Sequence, residues 1–380
     1  MIRREFLAIS TFLGLGTFTS SKVLHAKNRR NVIVIGAGAA GLTAGYRLQQ
    51  RGINFKILEA SSTFGGRMKR NVGFADFPLP MGAEWLHSSP QMFETIVANS
   101  SVDVSVQTVG YKPDDINAYW DGDVLTRTNL GEHTDRKFVN SSWFDFFDQY
   151  IVPSVIDQIK FQNPVTAINT LGQRAIVQSR SGEQFVADAV IITVPLKMLQ
   201  ERQISFTPPL SWRKSKAINT AKFWDGYKAF LEFDEPFYPA YTEIKVWPDT
   251  AGQHGFYDAA YGQNTQRHVL GVFAVGSAAK LYSGQSEVAV TRQILEQLDE
   301  VFDGAATRRF RKIITQDWSS EPFIGGAYVH DHENWKRIRE LGTSVGSHLY
   351  FAGEAYTSGD DWGSVHNAAL AAKDVAINYN

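Results

Sequence analysis

The stretch Asn31-Val32-Ile33-Val34-Ile35-Gly36-Ala37-Gly38-Ala39-Ala40-Gly41 joins an unbroken apolar run to three glycines at fixed spacing, and residues 42–50 continue with helical periodicity. Such an apolar run reads as a strand buried on both faces, the parallel-sheet type. The glycines then have separate tasks. Gly36 permits a tight turn, Gly38 lets backbone approach a pyrophosphate, and Gly41 lets the helix pack closely on the strand. With Ala39 and Ala40 between them, these glycines open the helix at 42–50, whose N-terminus faces the phosphates. A second strand is expected at 54–58, and Glu59 ends it about twenty residues after the glycines, placed to take the ribose hydroxyls of an adenosine. The unit is the start of a doubly wound α/β fold that binds a dinucleotide. These features alone do not separate FAD from NAD.

Downstream, 165–169, 175–179 and 184–186 alternate as short strands, and Ala189-Val190-Ile191-Ile192-Thr193-Val194-Pro195 is again a continuous apolar strand, so the chain returns to the first sheet. The stretch 90–158 is mixed, with helical spacing at 143–156 around Pro153. Residues 229–233 and 268–275 read as strands flanking a helix at 287–302. Strand and turn recur at Leu349-Tyr350-Phe351-Ala352-Gly353-Glu354, and a last helix is expected from Ser364. No internal repeat or low-complexity linker interrupts the pattern, which predicts two interleaved domains.

Composition narrows the partners. The net charge of -1 gives no bulk field to draw the protein to nucleic acid. Cysteine is absent, which removes disulfides, thiolate metal sites and cysteine nucleophiles together. His330-Asp331-His332 has no further ligands at a recognisable spacing and reads as a polar loop, so no metal is expected. At the other end, Arg3-Arg4 precede Phe6-Leu7 and an apolar run over 8–18, with Ala26 at the close of a polar stretch. Residues 1–26 are therefore expected to be a signal peptide of twin-arginine type, addressed to the twin-arginine export machinery and a bacterial periplasm. The run is shorter than the roughly 20 residues of a membrane span, and no stable span is expected.

Gly65-Gly66-Arg67 follows Glu59 and Ala60 at the distance seen in a large class of flavoproteins. With it come Gly82-Ala83-Glu84-Trp85-Leu86-His87, Asn163-Pro164-Val165, Phe351-Ala352-Gly353-Glu354 and Gly363-Ser364-Val365-His366-Asn367-Ala368. In these motifs the sequence resembles the flavin-containing amine oxidases, over nearly the whole of the chain after the signal. The resemblance implies FAD, with Val165 at the adenine, Glu354 near the ribityl and phosphate region, the backbone at Val365 over the flavin, and Ser364 among the cofactor-binding residues. With cysteine absent, the FAD is expected to be noncovalent. The expected fold is α/β: a doubly wound FAD-binding (Rossmann-like) domain at 31–90, 160–222 and 342–380, interleaved with a mixed α+β substrate domain at 91–159 and 223–341.

The resemblance also implies the reactive side. Lys228 matches the family lysine that holds a water against flavin N5 and assists reoxidation by oxygen. Tyr328 matches one aromatic wall of the substrate site; the second wall falls on Ser364, leaving Trp362 or Tyr356 to supply that face. His87 borders the substrate channel in the polyamine-oxidase pattern. Glu84 stands where amino-acid oxidases carry an arginine, and its charge is expected to attract a cationic amine. The expected activity is oxidation of a primary or secondary amine, polyamines included, to an imine with reduction of oxygen to hydrogen peroxide. The rivals are a flavin dehydrogenase or desaturase using another acceptor, and a non-catalytic flavin-binding protein.

Overall fold

Five parallel strands stand in the order Leu349–Phe351, Ala189–Ile192, Asn31–Ile35, Asn54–Leu58 and Ile159–Lys160. The structure is a computed structural model that describes residues 30–330, 335–357 and 363–378. The expected signal peptide, together with Asp331, His332 and Trp362, lies outside the described residues. Strand Asn31–Ile35 is central, and its side chains alternate between two cores, as period-two geometry requires. Val32 and Val34 pack beneath helices Ala39–Gln50 and Val365–Asn378, while Ile33 and Ile35 face Leu196, Ile338 and Leu341. Both faces are covered, which is why Val32 to Ile35 are all apolar. The first helix begins at Ala39, three residues ahead of its apolar periodicity, because the glycine turn itself enters the helix.

The alternating runs after Lys160 form a separate four-stranded sheet, Gln184–Ala187, Ala175–Ser179, Val165–Asn169 and Ser205–Thr207. A third, seven-stranded sheet has the order Phe310–Asp317, Gly226–Phe233, His268–Gly276, Gly252–Asp258, Tyr241–Ile244, Ile116–Trp120, Leu125–Asn129. Val290, Ile294, Leu298 and Val301 of helix Glu287–Val301 form a core with the buried residues of this sheet. From Asn31 onward the chain is one compact unit.

The segments expected in the substrate domain divide between cores. From 91–159, only Ile116–Trp120 and Leu125–Asn129 join the seven-stranded sheet. Helices Gln91–Val97 and Trp143–Tyr150 instead bury Phe93, Ile96, Trp143, Phe146 and Phe147 in the core that holds Val32 and Leu42. Their aromatic faces need an apolar partner, and helix Ala39–Gln50 supplies it. Helix Trp335–Gly342 likewise places Ile338 and Leu341 in the core of Ile33 and Ile35. Its last carbonyls are met by buried Lys214, whose Nζ donates to Glu340 O at 3.0 Å and Leu341 O at 2.5 Å, and to Thr343 O just past the helix at 2.7 Å, a lysine end-cap for a helix C-terminus. Helical spacing at 143–156 is realised as a helix to Tyr150 and two short 3₁₀ turns, since Pro153 has no N–H to continue it. Among the described residues no helix is long and apolar enough to cross a membrane.

Candidate active site

A cavity of about 850 Å³ runs from the glycine-rich turn to the seven-stranded sheet. At the first end Gly36 sits at φ +104°, and a Cβ on Gly41 would lie 1.8 Å from Gly36 O. Only glycine fits at either position. At Gly38 the nearest atom to such a Cβ is 4.0 Å away, so the cradle is open there. No side chain caps the helix at Gly38, and no acid stands in its first turn. The first-turn N–H groups, orphaned by helix geometry, are therefore left for an anion. Glu59 Oε2 accepts from Ala37 N at 2.6 Å and Oε1 from Ser61 N at 2.8 Å, so the carboxylate holds the loop as well as facing the cavity with Ala60 and Val165. Thr193 Oγ1 donates to Ile35 O at 2.8 Å and fixes the turn from the neighbouring strand. The sequence reading missed it.

In the middle, three distant segments are tied together. Gly65 N donates to Ala37 O at 2.9 Å, and Arg67 Nη1 donates to Ala327 O at 2.5 Å and Glu354 Oε1 at 2.9 Å. Glu354 Oε2 accepts from Val329 N at 3.1 Å. Gly66, Gly353, Ser364 and Val365 line the same wall, with Ser364 Oγ accepting from Asn367 N at the head of helix Val365–Asn378.

Beyond them lies a buried ionic cluster. Glu84 Oε1 accepts from Lys137 Nζ at 2.8 Å, while Oε2 accepts from Lys228 Nζ at 2.5 Å and from the Tyr257 hydroxyl. Lys228 Nζ also donates to Pro80 O and Gly82 O, each at 2.9 Å. Burial alone would raise the Glu84 carboxyl, but the two ammoniums outweigh it and hold it below the ordinary range. Burial pushes the Lys228 ammonium down, an effect Glu84 only partly offsets, and raises the Tyr257 hydroxyl. Two expectations change here. Glu84 does not present a free charge to an amine, because its oxygens are taken by two lysines and a tyrosine. Lys228 reaches the cavity wall, but its three donor hydrogens all have acceptors in the chain, leaving none for a water.

The outer end is lined by side chains of the large sheet. Tyr328 stands in the wall, edge-on to Trp224 with ring centroids 5.8 Å apart; burial raises its hydroxyl, so it stays neutral. Tyr356 does not supply the second aromatic face: its ring packs in the core with Phe351 and its hydroxyl donates to Val194 O at 2.9 Å. Phe273, Tyr241 and Trp85 line the cavity instead. His87 Nδ1 bonds Asp135 Oδ1 at 2.8 Å, half-exposed, at the same end. Asn117, Tyr241 and Glu243 share the cavity face of two paired strands. Asn117 Oδ1 is buried with no hydrogen-bond partner. Among the described residues no ion pair or side-chain hydrogen bond engages the exposed Glu243. Among the described residues no cluster of His, Asp and Glu could hold a metal ion.

The sequence profile of the flavin containing amine oxidoreductases matches residues 147–378, well over half the chain, and an NAD(P)-binding Rossmann-like profile matches 34–98. The chain belongs to the flavin-containing amine oxidoreductase family. It is 24% identical over 437 aligned residues to lysine-specific histone demethylase 1B of Mus musculus, covering 90% of this chain and 52% of the relative. It is 25% identical over 443 to polyamine oxidase 2 of Arabidopsis thaliana, covering 90% and 87%. The chain thus spans about half the length of the histone demethylase. A solved structure of putrescine oxidase, wild type bound to putrescine, superposes with a TM-score of 0.73 over 92% of this chain and 98% of that one, at 16% identity, and shares the fold. FAD is the cofactor of this family. The cavity fits it: open N–H groups at Gly38 suit a pyrophosphate, Glu59 and Val165 suit an adenosine, and the space continues past Arg67 to the sheet.

Proposed function

We propose that this chain is an FAD-dependent amine oxidase acting on cationic primary or secondary amines, with di- and polyamines favoured, and that the FAD is held noncovalently. The carrying observation is a continuous cavity that joins a dinucleotide cradle to an outer end lined by aromatic rings and by acceptors unpaired among the described residues, Glu243 and Asn117 among them. FAD held there would supply the acceptor for a hydride equivalent from the carbon beside nitrogen, with oxygen as the final acceptor and hydrogen peroxide as the product. The chain's own residues orient the amine: Tyr328 and Phe273 flank it, and Glu243 takes a distant ammonium. Arg67 and Glu354 clamp the wall between the two ends. We read 31–90, 160–222 and 342–380 as the cofactor-binding part, with the corrections given above, and residues 1–26 as an export signal. Arg3→Lys with Arg4→Lys should then leave active, flavin-loaded enzyme in the cytoplasm; unchanged periplasmic activity would remove the export reading.

The decisive test is anaerobic mixing of the loaded enzyme with an amine panel, followed by air. Diamines are expected to bleach the flavin faster than monoamines and much faster than α-carboxylated analogues, and air should restore the colour with one equivalent of peroxide. Amino acids reacting as fast as amines would overturn the substrate class. A second reading, transfer to an acceptor other than oxygen, draws on the saturated hydrogen bonding of Lys228. Recovery that is slow in air and fast with a quinone would favour it.

A further inference from the structure

Lys137 lies on the short strand Arg136–Phe138, is 3% exposed, and does not reach the cavity. Its Nζ donates to Glu84 Oε1 at 2.8 Å, Asp258 O at 3.1 Å and Ala259 O at 3.2 Å, so every donor hydrogen is used. A buried carboxylate needs one cationic partner to offset its desolvation, and Lys228 already provides that for Glu84. The second lysine therefore calls for its own account. From the cavity inward the groups run Lys228, Glu84, Lys137, with Tyr257 on the same Glu84 oxygen as Lys228 and the Asp258 carboxylate near Lys137 on the far side. Asp258 Oδ1 accepts from Ala260 N and makes no ion pair with Lys137.

We propose that Lys137 is a positioning residue for Lys228: it grips one oxygen of Glu84 from the buried side, fixes the carboxylate whose other oxygen carries Lys228, and competes with Lys228 for that negative charge. This rests on the reading that the Lys228 edge of the cavity meets the cofactor. The consequence is a pair of opposed effects. Removing the charge of Lys137 leaves Glu84 to Lys228 alone and strengthens the proton on Lys228. Removing the charge of Glu84 weakens it. A merely structural role for Lys137 would give neither sign in particular.

The test is the titration of Lys228 in FAD-loaded enzyme labelled with ¹³Cε-lysine, the resonance assigned by its loss in Lys228→Met. Lys137→Gln, which keeps a donor toward Glu84, is expected to raise the midpoint by about one pH unit, tenfold in proton affinity. Lys137→Met should do the same or more, Glu84→Gln should lower the midpoint, and Lys137→Arg should leave it within about 0.3 unit. The pH profile of flavin reoxidation should move in the same directions. An unmoved midpoint in Lys137→Gln, or an equal shift in Lys137→Arg, overturns the proposal. Because the resonance reports ionisation without turnover, failure here with amine reduction intact counts against Lys137 alone. Normal titration shifts without any amine reduction count against the proposed function alone.

Discussion

The two ends of the cavity are built by different means. At the glycine-rich end the ligand-facing groups are backbone, delivered by eleven consecutive residues and one carboxylate shortly after them. At the sheet end they are side chains drawn from positions as far apart as Glu84, Lys228, Glu243 and Tyr328, with Lys137 and Tyr257 holding Glu84 from behind. Backbone sites tolerate almost no added volume but are indifferent to charge. Side-chain sites tolerate shape changes and fail when one charge of a set is removed.

The sharpest way to break that contrast is volume at the first end. A Cβ on Gly41 would overlap Gly36 O, and both are main-chain atoms that cannot step aside. Gly41→Val is expected to yield protein with no detectable bound flavin, read from the absorbance near 450 nm. Gly52→Ala, at φ +65° with nothing nearby, should cost about 1 kcal/mol and keep the cofactor. Full flavin content in Gly41→Val would mean that the turn can rearrange.

At the second end charge is the lever. Glu84→Gln keeps the volume and strands two buried ammoniums, so it is expected to lower unfolding free energy by about 3–5 kcal/mol in urea titrations. A loss under 1 kcal/mol would mean that the lysines shed their protons cheaply and the cluster does not hold the wall.

The core behind the large sheet adds a pH dependence. His254 is 3% exposed, its Nε2 paired with the Tyr282 hydroxyl at 3.0 Å, and burial pushes it down to about 4. The unfolded chain binds a proton there near pH 6.5, so between pH 6.5 and 4 it holds more protons than the native state. Stability from this group is complete above pH 6.5 and lost as the pH falls toward 4, by roughly 3 kcal/mol. Melting curves from pH 7.5 to 4.5 should show this loss, and His254→Asn should flatten it. An identical slope in the variant would assign the acid sensitivity elsewhere.

The same contrast sets what was legible in the sequence. The strand, the turn, the helix and Glu59 follow from local rules, because each glycine after Ile35 answers to a steric demand of its own immediate neighbours. The Gly-Gly-Arg turn and Glu354 were legible as motifs, although nothing local says that Arg67 and Glu354 bond each other. Lys137 left no signal: nothing in Arg136-Lys137-Phe138 sets it apart, and its partner is 53 positions away. Glu84 was misjudged for the related reason that a charge read without its partners looks available. Helices Gln91–Val97 and Trp143–Tyr150 found a core across the chain, which periodicity reveals as an apolar face but not as an address.

Glu243 offers the finest test, because it is the charge that the sequence reading assigned to Glu84. It sits on strand Tyr241–Ile244 facing the cavity, exposed and unengaged among the described residues. An exposed carboxylate meeting an ammonium in water-rich surroundings gains about 1 kcal/mol, some fivefold in binding, and salt screens it. Glu243→Gln should therefore raise KM for a diamine about fivefold at low salt, with kcat unchanged and unfolding free energy within about 0.5 kcal/mol of the parent. A monoamine has no second ammonium to lose, so its KM should stay constant. At 300 mM salt the diamine penalty should shrink toward twofold. Equal effects on both substrates would place the distal ammonium elsewhere, with Asp135 beside His87 as the next carboxylate on that wall. A loss of kcat would instead mean that Glu243 helps to orient the reacting nitrogen, and the outer end would then depend on charge as strongly as the buried cluster does.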